Sequence, residues 1–591
     1  MPSAERPTTF TLESYVGRSF NYFERMVDSE GVPYFNVFWT EPAEAAHDTP
    51  CYGDVMARQL QAVIMARHMT GRQSAIEAVW REKLLSYIDP ATGVFTRPEY
   101  PWSVTEKGIL CDRALILDAL VTAFLDEPSE RFEKIAKLMA DRTLDEARTS
   151  DFKGEGFLPG FMIKSLMDCY RHLDYEPALE AARLLVRHVF EVSPLFTEDN
   201  TFQRRGHMHG NLRTLLGAAH YAVATSDEPI LDRVDALYRY VRSLATRFGF
   251  LPEVVGRQGD IIACETCALM DFAGLAATLA NHGRAEYWDD LERLVRNHLV
   301  ESQVADGSWL HSDNSRPDSE QFTWRDIGDR MIGGYAGWSS PNHILAAEET
   351  IPWGGPELHG KTRAFQNCCG GSGVHALFIA WKNAARFENG VLSVNLHIDK
   401  LLPEAEIRCR QPYHGSTMIK PAQPCRVRIR IPDFAGPGRL IISINGVPSQ
   451  FEASTRKSAD ERGEIIRTTG SEGRVSLRAN YLELGHRRAG DVLVLEYPLP
   501  YGDEEVSVGN PGFRQYRYRV SWKGDTVIGM EPVGGDFATG YSEFEKADVP
   551  VYYGREGPGP LYRRAGFLAD AEPQESPIHL DTGELDLWHF G

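Results

Sequence analysis

Cys368 and Cys369 are neighbours in the chain, and a second sulfur-bearing segment, Cys264-Glu265-Thr266-Cys267, lies about a hundred positions earlier. Thiolates bind soft and borderline metals tightly, and three sulfurs with one carboxylate are enough to close a tetrahedral zinc shell. The vicinal pair delivers two sulfurs to one place before any folding. Two ligand sets can complete the shell: all four cysteines, or Glu265, Cys267, Cys368 and Cys369. Residues two apart on a helix point to different sides, so the second set requires Glu265 and Cys267 to sit at a helix entry. The preceding segment, residues 256–263, reads as the loop that permits this. Taken alone, Cys264 and Cys267 read as two core thiols on one helix face, and Cys368-Cys369 as a chance pair at a helix start. Their conjunction points to a metal–thiolate centre in which one thiolate is available for chemistry.

The elements that must position these residues are helical for two-thirds of the chain. Apolar residues recur at three- and four-residue spacing over 11–26, 53–70, 73–88, 107–125, 130–147, 158–172, 176–190, 210–224, 229–248, 265–281, 284–300 and 371–387. Asn281-His282-Gly283 separates two of these stretches. A set of antiparallel helices of this number, joined by alternately short and long loops, closes as two concentric rings, an (α/α)6 barrel with its long loops around one mouth. A helical solenoid is the rival, and no fixed sequence period supports it. Residues 300–368 form a long segment rich in Gly, Ser, Asp, Trp and Pro that carries Trp309, Trp324, Trp338 and Trp353. Loops of this length are functional or contain short elements, and these tryptophans either stack on a sugar at the mouth or pack the loop.

After residue 387 the period changes to two. Residues 426–431, 491–497 and 515–520 alternate, and Asn445-Gly446 is a hairpin signal. One apolar and one polar face per strand predict antiparallel sheets packed as sandwiches, with the arginine rows solvated. Residues 454–473 read as an exposed loop, and the Pro- and Gly-rich tail from Gly557 as a strap over the body. The expected division is a barrel over 1–390, a β-sandwich over 391–500, and a second β region with its tail over 501–591.

A chain of 591 residues with 42% hydrophobic residues can bury a large core. Its net charge of −20 and lack of a Lys/Arg-rich run argue against nucleic-acid or anionic-membrane partners. The first seven residues carry charge and proline where a secretory signal needs an apolar run, and no stretch of eighteen apolar residues follows, so a cytoplasmic location is expected. Nine cysteines at irregular spacing do not make a disulfide framework. Cys51, Cys111, Cys169, Cys409 and Cys425 read as single buried thiols. Edge strands and an acidic surface permit a homodimer.

Glu265-Thr266-Cys267, Asn367-Cys368-Cys369 and the run Leu392-Ser393-Val394-Asn395-Leu396-His397-Ile398 together resemble glycoside hydrolase family 127, whose type activity is β-L-arabinofuranosidase. His209-Gly210-Asn211-Leu212 is similar to that family's His-Ala-Asn-Thr helix start, and Glu253 resembles its acid/base glutamate. The resemblance runs from Asp54 to the strands near Val527. It implies an (α/α)6 barrel followed by β-sandwiches, a zinc ion held by Glu265, Cys267, Cys368 and Cys369, a Cys368 nucleophile and a Glu253 general acid/base. His207, His209 and Asp54 are candidates for sugar contact. Their other readings are caps or core partners for the histidines, and a carboxylate favoured by the helix dipole for Asp54. Glu320 and Glu357 are substitutes for Glu253.

The chain departs from the family where Gly370-Gly371 replaces prolines, where Phe161 stands for a histidine, and at Gly210 and Leu212. These changes leave the sulfur cluster and alter the sugar-contacting shell. The expected activity is a retaining exo-glycosidase acting on a terminal β-L-arabinofuranoside or a related unusual sugar of a small glycoside. The alternatives are a sugar epimerase or lyase on the same barrel, and a non-catalytic carbohydrate-binding protein with a structural zinc.

Overall fold

Helices occupy the chain up to Asn383 and strands dominate after it. The computed structural model describes residues 8–100, 110–152, 155–203, 206–255, 263–345, 364–435, 439–452, 467–468, 476–478, 480–509, 515–533, 561–562 and 572–588. Trp353, Glu357, most of 256–263, most of 454–473 and most of the tail from Gly557 lie outside them.

The described helices are α1 (Leu12–Arg25), α2 (Asp54–Thr70), α3 (Ala75–Ser86), α4 (Leu110–Asp126), α5 (Glu130–Thr149), α6 (Leu158–Leu173), α7 (Glu176–Arg187), α8 (Met208–Thr225), α9 (Glu228–Leu244), α10 (Thr266–Asn281), α11 (Tyr287–Leu294), the short α12 (Ile327–Met331) and α13 (Cys368–Asn383). Helix α2 packs on α4, α4 on α6, α6 on α8, α8 on α10 and α10 on α13, and α13 returns to α2. Six helices thus close an inner ring, with α1, α3, α5, α7, α9 and α11 packed outside it. Burial follows this layering. In α13 every residue is buried, whereas α7 buries only the stripe Ala178, Ala181, Ala182, Leu185 and Val186. No described helix is long and apolar enough to cross a membrane.

Two departures from the sequence reading concern α13. It begins at Cys368 rather than at residue 371, which puts both vicinal sulfurs in its first turn. Gly370 and Gly371 allow the close approach this needs. A Cβ on Gly371 would lie 2.7 Å from the Arg58 carbonyl oxygen, and one on Gly370 2.4 Å from the Tyr22 ring. At its other end α13 stops at Asn383, because Ala385–Glu388 pairs as a strand with Val391–Val394. The turn between these strands is Asn389-Gly390, both at positive φ, the geometry of a two-residue hairpin.

That hairpin opens a sandwich. A five-stranded and a seven-stranded sheet share one core, with Leu392, Val427, Ile429 and Leu482 from the first meeting Ile407, Ile419, Ile442 and Leu495 from the second. Asn445-Gly446 forms the predicted tight turn between Ile441–Ile444 and Val447–Glu452. Pairing is antiparallel except that Cys425–Arg430 lies parallel to Val391–Val394 among the described strands. The arginine row on that strand is not uniformly solvated. Arg426 is exposed, but Arg430 is fully buried and pairs with Asp289 and Glu292 of α11, which ties the sandwich to the helical layer. A third antiparallel sheet, Tyr501–Gly509, Gln515–Lys523 and Thr526–Glu531, shares the core of the helices, as do Leu585, Leu587 and Trp588 of the tail. Trp309 and Trp324 pack the long segment, their indole N–H groups donating to the Asp306 carbonyl and to Glu44. Cys51, Cys169, Cys409 and Cys425 are buried singly and Cys111 is half-buried.

Candidate metal centre and active site

Four inner helices bring their N-terminal ends to one place. Asp54 opens α2, His207 caps α8, Glu265 caps α10, and Cys368 opens α13. Each helix start carries unpaired N–H groups and about half a positive charge, which favours thiolates and carboxylates there.

Local backbone fixes each side chain. Strand Ala364–Gln366 pairs with Asn36–Phe38 and runs straight into Asn367. Asn367 is then clamped: its N–H donates to the Phe35 carbonyl at 2.7 Å and its side-chain amide to the Tyr34 carbonyl at 2.9 Å. Its carbonyl accepts from Gln59 at 3.2 Å. The two cysteines follow with no slack. At α10, Cys264 and Ser339 exchange backbone hydrogen bonds of 2.8 and 3.1 Å, and the Thr266 hydroxyl donates to the Ala336 carbonyl. Glu265 is left in extended conformation at the cap, so it and Cys267 reach the same side. A two-residue ladder, Gly206-His207 against Val254-Val255, sets Glu253 beside His207.

One donor atom from each of Glu265, Cys267, Cys368 and Cys369 lies within 4.8 Å of the other three. Cys264 is outside this group. The Cys267 and Cys369 sulfurs are 3.3 Å apart; sulfurs sharing a tetrahedral zinc sit roughly 3.7 Å apart, given bonds of about 2.3 Å. Burial, with sulfur crowded on sulfur, pushes the Cys267 and Cys369 thiols well above the ordinary thiol range. Glu265 goes the other way. Burial alone would raise its pKa, but His207, His209 and Arg58 outweigh that and hold it at about 2. Three packed thiols that a cation must deprotonate, beside a carboxylate already ionised, fit a divalent borderline metal.

Around this group lies a shell of further contacts. His207 Nε2 meets Glu265 at 2.7 Å, and a second set of donor atoms within 4.8 Å joins His207, Glu253 and Glu265. The His207 ring is about a third exposed and faces Phe157 at 5.6 Å. Asp54 stands 16% exposed at the edge and accepts from Arg58. His209, read either as a sugar contact or as a core partner, is buried, with Nδ1 on Asp271 at 2.6 Å and Nε2 on Arg58 at 3.0 Å. Glu320 lies on the exposed surface.

Arg58, Ser372, Asp271 and Phe157 were not singled out by sequence. Asp54 and Arg58 do carry a signal, an opposite-charge pair four residues apart at a helix start. Phe157 also accounts for the altered helix start: a Cβ on residue 210 would fall 2.6 Å from its ring, so only glycine fits.

No protein-family model matches the chain, and no curated protein matches it in sequence. Solved structures do. A GH127 β-L-arabinofuranosidase from Geobacillus stearothermophilus T6 is 15% identical, covers 80% of this chain and 77% of its own, and superposes with a TM-score of 0.51. A second GH127 β-arabinofuranosidase is 14% identical over 88% of this chain and 81% of its own, with a TM-score of 0.53. A structure described as a glycoside hydrolase is 14% identical over 80% and 77%, also at 0.53. The chain therefore shares the fold of these proteins, helical layer and strands together.

Proposed function

We propose that the chain is a retaining exo-glycoside hydrolase acting on a terminal β-L-arabinofuranoside or a related sugar, with Cys368 as nucleophile and Glu253 as general acid/base. The double ring of helices is read as an (α/α)6 barrel over residues 1–390, followed by the sandwich over 391–500 and the remaining β region and tail over 501–591. The observation that carries the reading is the convergence of Glu265, Cys267, Cys368 and Cys369 within 4.8 Å of one another at the barrel's helix starts.

Glu265, Cys267, Cys368 and Cys369 would hold zinc. When bound, the ion would keep the buried sulfurs deprotonated, with the shell carrying a formal charge of about −2 that favours an oxocarbenium-like transition state. The residues then divide the work. Cys368 is the least deeply buried of the three cysteines, 5% exposed where Cys267 and Cys369 are fully buried, which supports giving its sulfur the nucleophile's role. That sulfur bonds the anomeric carbon as the bond to the leaving oxygen breaks, and the Glu253 carboxyl gives its proton to that oxygen. The Glu253 carboxylate next takes a proton from the attacking water, the carbon–sulfur bond breaks, and the thiolate leaves. Two displacements retain configuration. His207 and Asp54, both partly exposed at the rim, would bond sugar hydroxyls.

The test is turnover of a chromogenic glycoside panel headed by 4-nitrophenyl β-L-arabinofuranoside, with the product anomer followed by NMR. Hydrolysis with retention, abolished in Cys368→Ala, is expected. Equal turnover by that variant, or an unsaturated or epimerised product, contradicts the reading.

A further inference from the structure

Beneath the sulfur cluster a buried guanidinium is held from three sides. Arg58 sits one turn into α2 and is 5% exposed. Its Nε donates to Asp54, its Nη1 to the Ser372 hydroxyl at 3.1 Å and its Nη2 to His209 Nε2 at 3.0 Å. Arginine has no acceptor, so His209 Nε2 must accept and its proton must sit on Nδ1, where it is donated to Asp271 at 2.6 Å. Asp271 on α10 thereby sets the imidazole, and the imidazole sets the guanidinium. Ser372, on the first turns of α13, has its oxygen occupied by Arg58. Its own proton faces the Cys267 sulfur at 3.2 Å and the Cys368 carbonyl at 3.2 Å. A hydrogen-bonded line therefore runs from Asp271 through His209, Arg58 and Ser372 to a cluster sulfur.

Resting on the metal-centre reading above, we propose that Arg58 is a positioning residue of that centre: it orients Cys267 through Ser372 and sets a fixed positive charge beneath the sulfurs. Three thiolates and a carboxylate exceed the charge of one divalent ion by two, and the excess is least costly beside a cation that cannot deprotonate. Only a fork-shaped donor reaches Asp54, Ser372 and His209 at once; lysine would keep the charge and lose two of the three bonds.

The experiment measures zinc affinity of the full chain by competition with a chelator, alongside the spectrum of the cobalt-substituted protein. Arg58→Met is expected to weaken zinc about 10–100-fold, the usual effect of losing a group that supports metal ligands, and Arg58→Lys, which keeps the charge but loses two of the three bonds, to recover part of that loss. Losing the bond to sulfur raises the energy of its lone pairs, so the sulfur-to-cobalt charge-transfer band should move to longer wavelength in Arg58→Met and Ser372→Ala. A merely packing role would leave that band in place. Parental zinc affinity in Arg58→Met overturns the proposal, as does an Arg58→Lys variant no better than Arg58→Met. Should Arg58→Met fail to fold, Ser372→Ala decides: several-fold weaker zinc at an unchanged melting temperature of the metal-free protein supports it, and parental affinity overturns it. These readouts use no glycoside, so a protein that needs Arg58 for zinc yet cleaves nothing refutes the hydrolase reading and leaves this one standing.

Discussion

Glu253 stands beside the sulfur cluster: its backbone pairs with Met208 and Ala263, and its carboxylate adjoins His207 and Glu265. If it gives and takes the catalytic proton, Glu253→Ala should lower kcat by about 10²–10⁴ on substrates with poor leaving groups. With a nitrophenolate leaving group the glycosylation step needs no acid, so the deficit there should shrink and azide should restore turnover. An equal loss on both substrate types would contradict the role. A second prediction at this scale concerns Phe157 and Gly210. Gly210→Ala drives a methyl into the Phe157 ring and should cost about 1–3 kcal/mol of stability. The same change in a Phe157→Ala background should cost much less, and a double-mutant cycle by chemical denaturation measures the difference. The converging group was only partly legible at this scale: Cys368 and Cys369 are chain neighbours and Cys267 is common to both ligand sets, but spacing left Cys264 and Glu265 as alternatives, and it is the packed chain that brings Glu265 to the three sulfurs. For His209 the sequence left sugar contact and core partner open, since a histidine near a helix start gives no sign of whether it meets a buried arginine until α2 and α10 are packed against it.

Elements were legible where their period was long and their ends were marked. All the helical stretches announced themselves by the same three- and four-residue apolar spacing; which of them lie inside shows only in the burial, complete in α13 and a single stripe in α7. The end of α13 was misplaced because residues 384–388 continue its apolar spacing; the Asn389-Gly390 turn, which pairs them as a strand, decides the matter. Arg430 was misread for a related reason. Strict alternation assigns a face to a residue but does not say whether that face meets water or α11. The tail shows what a sequence pattern cannot place. Asp581 accepts from Lys382 near the end of α13 at 2.9 Å and from Lys400 at 2.7 Å, all three buried. Burial alone would raise its pKa, but Lys400 and Lys382 outweigh that and hold the carboxyl at about 2, below the ordinary 3.8. A depressed carboxyl leaves the native state with fewer protons than the unfolded one, so its contribution is intact above about pH 4 and is lost as pH falls toward 2. Asp581→Asn should therefore destabilise the protein at pH 7 by about 3 kcal/mol, leaving two buried ammonium groups short of a partner. The gap between variant and parent in urea denaturation should close between pH 4 and pH 2. A gap that persists at pH 2 would refute the ion-pair account.

At the scale of the whole molecule, ring closure is what makes a site from residues more than a hundred positions apart. Only when α13 returns to α2 and packs on α10 do Cys368 and Cys369 reach Glu265 and Cys267. The sandwich is tied to this ring through Arg430, Asp289 and Glu292. The third sheet and the tail residues Leu585, Leu587 and Trp588 share its core. The central claim, that this convergence leaves one sulfur able to bond an anomeric carbon, is tested most directly by intact-mass and peptide mass spectrometry. The zinc-loaded protein is treated with an L-arabinofuranose mimic carrying a thiol-reactive electrophile at the anomeric position. The account predicts one adduct per chain, placed on Cys368 and suppressed by free L-arabinose. Tight binding of the mimic without covalent mass gain, or an adduct on any other cysteine, would contradict it.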